Sequence, residues 1–315
     1  MEQRKQQLSQ ALPARETQPR ARPRLVLVTN GEQPAAPAPA ADSRGAAAAE
    51  QLLQVELPAR PGVLVALSAQ MQLEEPDFQQ ISELISADPG LASAVVKTAN
   101  SPYVGLGRRV SSVLQALYYL GMGEVFSIVT GLMLRRVFAA NDDRIERLWD
   151  ESARRAGLMA RLAREARWVK PERAHTCGLF ENCGMAVLLL HAPGYKEVFA
   201  QVAAAPDPQR FEREQYGLDH PVIGDALVRT WGLPEPIALA VRHHHGIQDL
   251  LRQSLPEESM VLVALSALAN EALARTRGRS GERWERDVEV LSKVLGETWP
   301  NLEERVADAV QGVRA

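Results

Sequence analysis

The chain has 315 residues, 46% hydrophobic and 24% charged, with a formal net charge of -3, which suits one large or two modest globular domains and excludes a polycation. A chain this close to neutral lacks the clustered Lys/Arg surface of a nucleic-acid binder. Aromatic residues make up only 5% against abundant Ala and Leu, which favours helices over a sandwich or barrel.

The longest apolar run, "MAVLLL", falls far short of the roughly 18 residues a membrane span needs. No apolar stretch follows the basic N-terminal residues as a secretory signal would require. The two cysteines, Cys177 and Cys183, fit neither a CxxC nor a zinc spacing and read as reduced thiols, so the chain is expected in the cytoplasm.

Residues 1 to 50 combine a basic, proline-rich stretch with the Ala/Pro tract "QPAAPAPAADSRGAAAAE", which buries too little surface to offset its ordering entropy; this is read as a disordered arm. Within it, "RLVLVTN" at 24 to 30 is β-branched and forms a strand only if something pairs with it. A helical domain is expected from 51 to 254 and a C-terminal helical extension from 255 to 315.

In "LPARPGVLVALSAQM" the residues Val63, Leu64, Leu67 and Met71 share one face, with Pro61 at the start. Asp77 caps a helix carrying Ile81, Leu84 and Ile85, and Asp88-Pro89 opens the next one. Asn100-Ser101-Pro102 turns the chain toward two further helices, capped at Ser111 or Ser112 and broken at Gly121 to Gly123. A long helix from about Asp142 to Arg167 has Ile145, Leu148, Trp149, Ala156, Met159, Ala160 and Ala163 inside. After "GLFENCGMAVLLLHAPG" come three helical pieces divided at Gly217 and at Gly232 to Pro234, and then the helical residues 255 to 315 with Trp284 and Trp299.

Four of the six histidines fall late: His220, His243, His244 and His245. Neutral imidazole is a good ligand for divalent ions. Adjacent helical residues point about 100° apart, so at most two of the three consecutive histidines can face one ion. Gly246 reads as a C′ residue, a place where histidines also serve the helix dipole. GxxxxGK(S/T), GxGxxG after a strand, and HExxH are all absent. Cys183, with no histidine beside it, is read as a small buried thiol.

The segments "DPGLASAVVKTANSPYVG", "VSSVLQALYYLG", "LWDESARRAGLMARLA", "GLFENCG", "YGLDHPVIGDAL", "WGLPEPI" and "RHHHG" occur in the order and approximate spacing of the HDOD domain. Over about residues 55 to 250 the chain resembles that domain, a divergent, non-catalytic, all-helical member of the HD-domain superfamily found in bacterial signalling proteins. The resemblance implies a multi-helical HD-like bundle. Where the superfamily's hydrolases carry a His-Asp doublet, this chain has Glu181-Asn182, and it has Glu151 where they tend to place a histidine.

Glu151, Glu181, Asn182, His220, His244 and His245 are therefore the expected remnant of an HD-type pocket. No catalytic residue, cofactor or bound metal is assigned. Glu181 and Asn182 are expected to hydrogen-bond within the bundle, with His220 or His244 as partners. The resemblance further implies a non-enzymatic scaffold or regulator acting in trans on sensor kinases, response regulators or cyclic-di-GMP enzymes. The N-terminal arm or the C-terminal helices are natural surfaces for docking or for a homodimer. The alternatives are a metal-dependent phosphohydrolase with a degenerate site and a nucleotide-sensing module using the same pocket.

Overall fold

The computed structural model describes residues 55–101, 108–205, 207–279 and 282–314. The arm at 1 to 50, its 24–30 segment and the 102–107 part of the expected turn lie outside the described residues. The described residues contain helices and no strand. In chain order they are α1 (Gly62–Met71), α2 (Phe78–Ser86), α3 (Pro89–Ala99), α4 (Val113–Val137), α5 (Asp143–Ala166), α6 (Pro171–Phe180) and α7 (Cys183–His191). They continue with α8 (Tyr195–Ala204), α9 (Pro208–Tyr216), α10 (His220–Thr230), α11 (Glu235–His243), α12 (Glu257–Thr276), α13 (Glu282–Leu295) and α14 (Trp299–Arg314), with a 3-10 turn at Ile247–Asp249.

Local chemistry sets most of the starts. The carboxylates of Asp77, Asp88, Asp142, Asp207 and Asp219 and the hydroxyl of Ser112 each accept a backbone N–H from the first turn they precede, satisfying donors that a helix leaves unpaired. Proline at the first helical position follows Asp88, Lys170 and Asp207, where its missing N–H costs nothing. The break expected at Gly121 to Gly123 is present: Gly121, with φ at 79°, is non-helical and divides α4 into two helical segments, a positive-φ conformation that glycine adopts without a Cβ penalty.

The helices form one connected core. α4 packs on α1, α2, α3 and α6; α5 lies along α6; α10 bridges α7 and α11; and α12 packs on α5, α6, α11 and α14. By length and composition α4 could cross a membrane, yet half of its most apolar window is buried against neighbouring helices, and it encloses the polar Ser127 and Thr130. The α1 face is narrower than the periodicity implies: Leu64 and Leu67 are buried, while Met71 is exposed because α1 ends there at the surface. Trp231 is wholly buried, meets Phe180 edge to face at 5.5 Å, and donates its indole N–H to the Pro58 carbonyl at 3.0 Å. The segment before α1 is thereby pinned to the end of α10, 173 positions later.

Two glycines let the helices carrying the candidate residues meet. A Cβ on Gly178 would lie 2.7 Å from the Ala156 Cα, and one on Gly184 would lie 2.0 Å from the His220 carbonyl oxygen. Both are below any tolerable contact, so the close approach of α6 to α5 and of α7 to α10 requires glycine. The glycines framing "LFENC" are thus structural conditions for placing Glu181 and His220.

Candidate functional site: a polar cleft at the α6–α7 junction

Glu181 and Asn182 occupy the two-residue joint between α6 and α7. Glu181 is buried. Its Oε1 lies 3.2 Å from the Arg155 Nε of α5 and accepts the Asn270 amide of α12 at 3.1 Å, while Oε2 accepts the Ser266 hydroxyl of α12. Arg155 Nε also donates to Asn270 Oδ1 at 2.8 Å. Burial works to raise the Glu181 carboxyl, but Arg155, His244, Ser266 and Asn270 together bring it below its ordinary value. It is a charged carboxylate inside the protein, neutralised from within.

The expected hydrogen bonding of Glu181 inside the bundle is therefore present with different partners: Arg155, Ser266 and Asn270 in place of His220 or His244. Asn182 stands at the start of α7, makes no side-chain cap bond, and lines the cleft. Glu151 is turned to the cleft rim, where its carboxylate meets Arg277 at 3.2 Å.

The histidines form a second cluster beside this network. His220, at the first position of α10, is fully buried; its Nδ1 and its backbone N–H both reach Glu212 Oε2, at 2.6 and 2.8 Å. Glu212 Oε1 accepts the Tyr195 phenol at 2.5 Å, a phenol whose pKa is raised by burial and by Glu212. His244 sends Nδ1 to the Val241 carbonyl at 2.7 Å. The Nε2 atoms of His244 and His245 lie 3.3 and 3.1 Å from that of His220.

Burial, the largest influence, lowers the His244 pKa to about 4, although Glu181 pulls the other way. Two consecutive histidines converge because α11 ends at His243 and the chain turns at once. Gly246 is not the left-handed C′ residue expected; its φ of -93° leaves the turn to the 3-10 segment that follows.

The cleft encloses about 850 Å³ and is lined by side chains of both signs, the cations Arg144, Arg147 and Lys196 as well as the acids Glu151, Glu197 and Asp287. A divalent ion at the Glu181–Asn182 position would have to displace the Arg155 guanidinium that already neutralises the carboxylate, and Asn182 adds only a neutral amide oxygen. These two residues do not fit a hydrolytic ion.

Sequence reasoning missed Arg155, Ser266, Asn270, Glu212 and Tyr195. Arg155 carries a signal: it falls on the buried Leu148, Ser152, Met159 stripe of α5, where an arginine needs a partner. Ser266 and Asn270 are likewise a polar i, i+4 pair on the apolar "MVLVALSALAN" helix.

The described residues thus form an all-helical domain with histidines and carboxylates lining one cleft. Residues 57–247 match the HDOD domain, and the chain belongs to that family. An uncharacterised protein of Treponema pallidum (strain Nichols) is 27% identical over 68% of this chain, which spans 42% of that protein's length. Of solved structures, an HDOD domain protein of unknown function from Geobacter sulfurreducens superposes with a TM-score of 0.65 at 23% identity, covering 86% of this chain and 94% of the other. A Shewanella amazonensis SB2B protein provisionally described as a phosphohydrolase gives 0.62 at 22% identity, over 82% and 93% of the two chains. A Marinobacter aquaeolei VT8 protein provisionally described as a signal transduction protein also gives 0.62 at 22%, over 81% and 57%. At these identities the structural likeness defines the fold.

Proposed function

We propose that the chain is a bacterial, cytoplasmic signal-transduction module that works by docking other signalling proteins and carries out no hydrolysis of its own. The observation that supports this most is the internal cation at the doublet position: the Arg155 guanidinium sits against the Glu181 carboxylate. Water activation by a metal needs that anionic oxygen free to hold or bridge the ion. Glu151, drawn off to Arg277, supplies no replacement. The six residues Glu151, Glu181, Asn182, His220, His244 and His245 then serve as architecture, and information passes through surfaces.

The partners in this reading are sensor kinases, response regulators or cyclic-di-GMP enzymes. The test is calorimetric titration of the purified full chain with such proteins from the same bacterium, repeated with an Arg155→Met/Glu181→Leu double variant. Micromolar binding that the double variant keeps supports a role carried by surfaces. No binding across the set, together with turnover of a phosphoester, overturns it.

A second reading, nucleotide sensing without hydrolysis, draws on the size of the cleft and on Arg144, Arg147 and Lys196 at its edge, which suit an anionic ligand. Titration with cyclic dinucleotides and guanosine nucleotides separates it from the first.

A further inference from the structure

We propose that residues 55–58 form a strand-addition edge on the domain, and that the edge takes residues 24–30 of the same chain, "RLVLVTN", as its occupant. The stretch lies just before α1 and is anchored from one side: Leu57 is buried, and the Pro58 carbonyl accepts the Trp231 indole N–H at 3.0 Å. Its other side works as a β edge, since Glu56, exposed to solvent, stands in an isolated β-bridge. A bridge has two halves, and no other described residue is in one. Nor does the backbone of any described residue bond to that of Val55 or Leu57. The second half of the bridge therefore belongs to a segment outside the described residues.

Residues 24–30 are the segment whose chemistry fits. Of the other stretches outside the described residues, 102–107 reads "PYVGLG" and 280–281 reads "SG", with the Pro and Gly that a strand interior disfavours. Among residues 1–54, Leu25, Val26, Leu27 and Val28 make the one unbroken aliphatic run that includes β-branched residues. Alternation puts Leu25 and Leu27 on one side of a strand and Val26 and Val28 on the other, so either side brings apolar surface to the domain. The domain has apolar surface to be covered there: α1, which follows the edge, is apolar on its outer side as well, and its Val65 is 53% exposed. Residues 31–54 join the segment to the edge. A linker of that length reaches roughly 25–30 Å on average, against the about 4.8 Å that separates paired strands. It holds the segment at a millimolar effective concentration, enough for a short strand to add in cis where a free peptide would not.

The test is amide hydrogen exchange, followed by mass spectrometry, on the full-length chain and on its Leu27→Pro/Val28→Pro variant. Successive N–H groups of a strand point to opposite sides, so the adjacent prolines remove an edge-facing donor in any register. The expected result is exchange at 55–57 faster by about 10-fold or more in the variant, with the amides of α10 unchanged. Equal exchange at 55–57 in the two chains overturns the proposal. So does protection that the wild type loses on dilution through the micromolar range, which would assign the edge to a second copy. Should the proline variant lose its helical circular dichroism, a full-length chain with residues 24–30 replaced by alternating Gly and Ser decides: exchange at 55–57 as slow as in the wild type overturns the proposal equally. The measurement contains no partner protein, so arm docking and the signalling role can fail separately.

Discussion

Replacing Arg155 by methionine removes the cation from a buried pair and leaves the Glu181 carboxylate with Ser266 and Asn270 as its hydrogen-bond partners. At the observed 3.2 Å, an effective dielectric near 20 puts the lost attraction at about 5 kcal/mol. Breaking buried pairs in this way typically costs about 3–5 kcal/mol of stability. The cost is pH-dependent, with a definite sign. In the wild type the folded Glu181 pKa lies below its ordinary value, so its contribution is present above that ordinary value and disappears as pH falls through the folded one. Without Arg155, burial dominates and the folded pKa rises above the ordinary value, so the penalty is largest near neutrality and is relieved as the carboxyl takes up a proton. Urea unfolding at about pH 7.5 and about pH 5 should show the gap between variant and wild type narrowing by at least about 1 kcal/mol, and Arg155→Met/Glu181→Leu should recover most of the loss. A loss under about 1 kcal/mol, or one insensitive both to pH and to the second substitution, would refute the internal-cation argument.

Gly184→Ala should destabilise the chain by about 3 kcal/mol or abolish folding, because its Cβ meets the His220 backbone oxygen at 2.0 Å, whereas Gly62→Ala, with nothing within 4 Å, should be near neutral; thermal melting of the pair checks this. His175, whose Nδ1 lies 2.7 Å from the Ser127 hydroxyl, has its pKa lowered to about 4, chiefly by burial and secondarily by Arg164. The unfolded chain therefore binds the extra proton first, and stability should fall by up to about 1.4 kcal/mol per pH unit from about pH 6.5 down to about 4. His175→Gln should flatten that slope in urea titrations across the window, and an unchanged slope would contradict the assignment. Residues 51–254 alone should lack a cooperative unfolding transition, because α12 supplies Leu262, Leu265 and Leu268 to the core and both neutral partners of Glu181; a sharp transition in that fragment would show the last three helices to be dispensable.

What could be read from the sequence was local. Asp77, Asp88, Ser112 and the Asp142 region announce helix starts because a short polar side chain beside its own backbone needs nothing distant. The Gly121 break and the span of α5 follow from backbone freedom and from 3.6-residue periodicity in the same way. The HDOD signature located the joint at Glu181-Asn182 and brought the late histidines into view.

The partners at the joint were not legible. Arg155 is 26 positions before Glu181, and Ser266 and Asn270 are 85 and 89 after it, so their pairing depends on how α5 and α12 pack and leaves no spacing to read. The estimate that consecutive histidines diverge by about 100° holds inside a helix. It does not govern His244 and His245, which lie just beyond the end of α11. Glu151 shows the converse failure: its family position suggested a pocket ligand, and an exposed arginine from the far side of the cleft, Arg277, holds it at the rim.

The central claim is that the doublet position is closed to catalysis by a cation of the protein's own. Its most direct test is hydrolysis of bis-p-nitrophenyl phosphate and of cyclic dinucleotides by untagged full-length protein supplied in turn with Mn2+, Fe2+, Co2+ and Mg2+, with the His220→Ala variant alongside. The account predicts no turnover above that variant with any ion. Turnover that needs an added metal, and that is lost on replacing His220, would contradict it and make the cleft an active site.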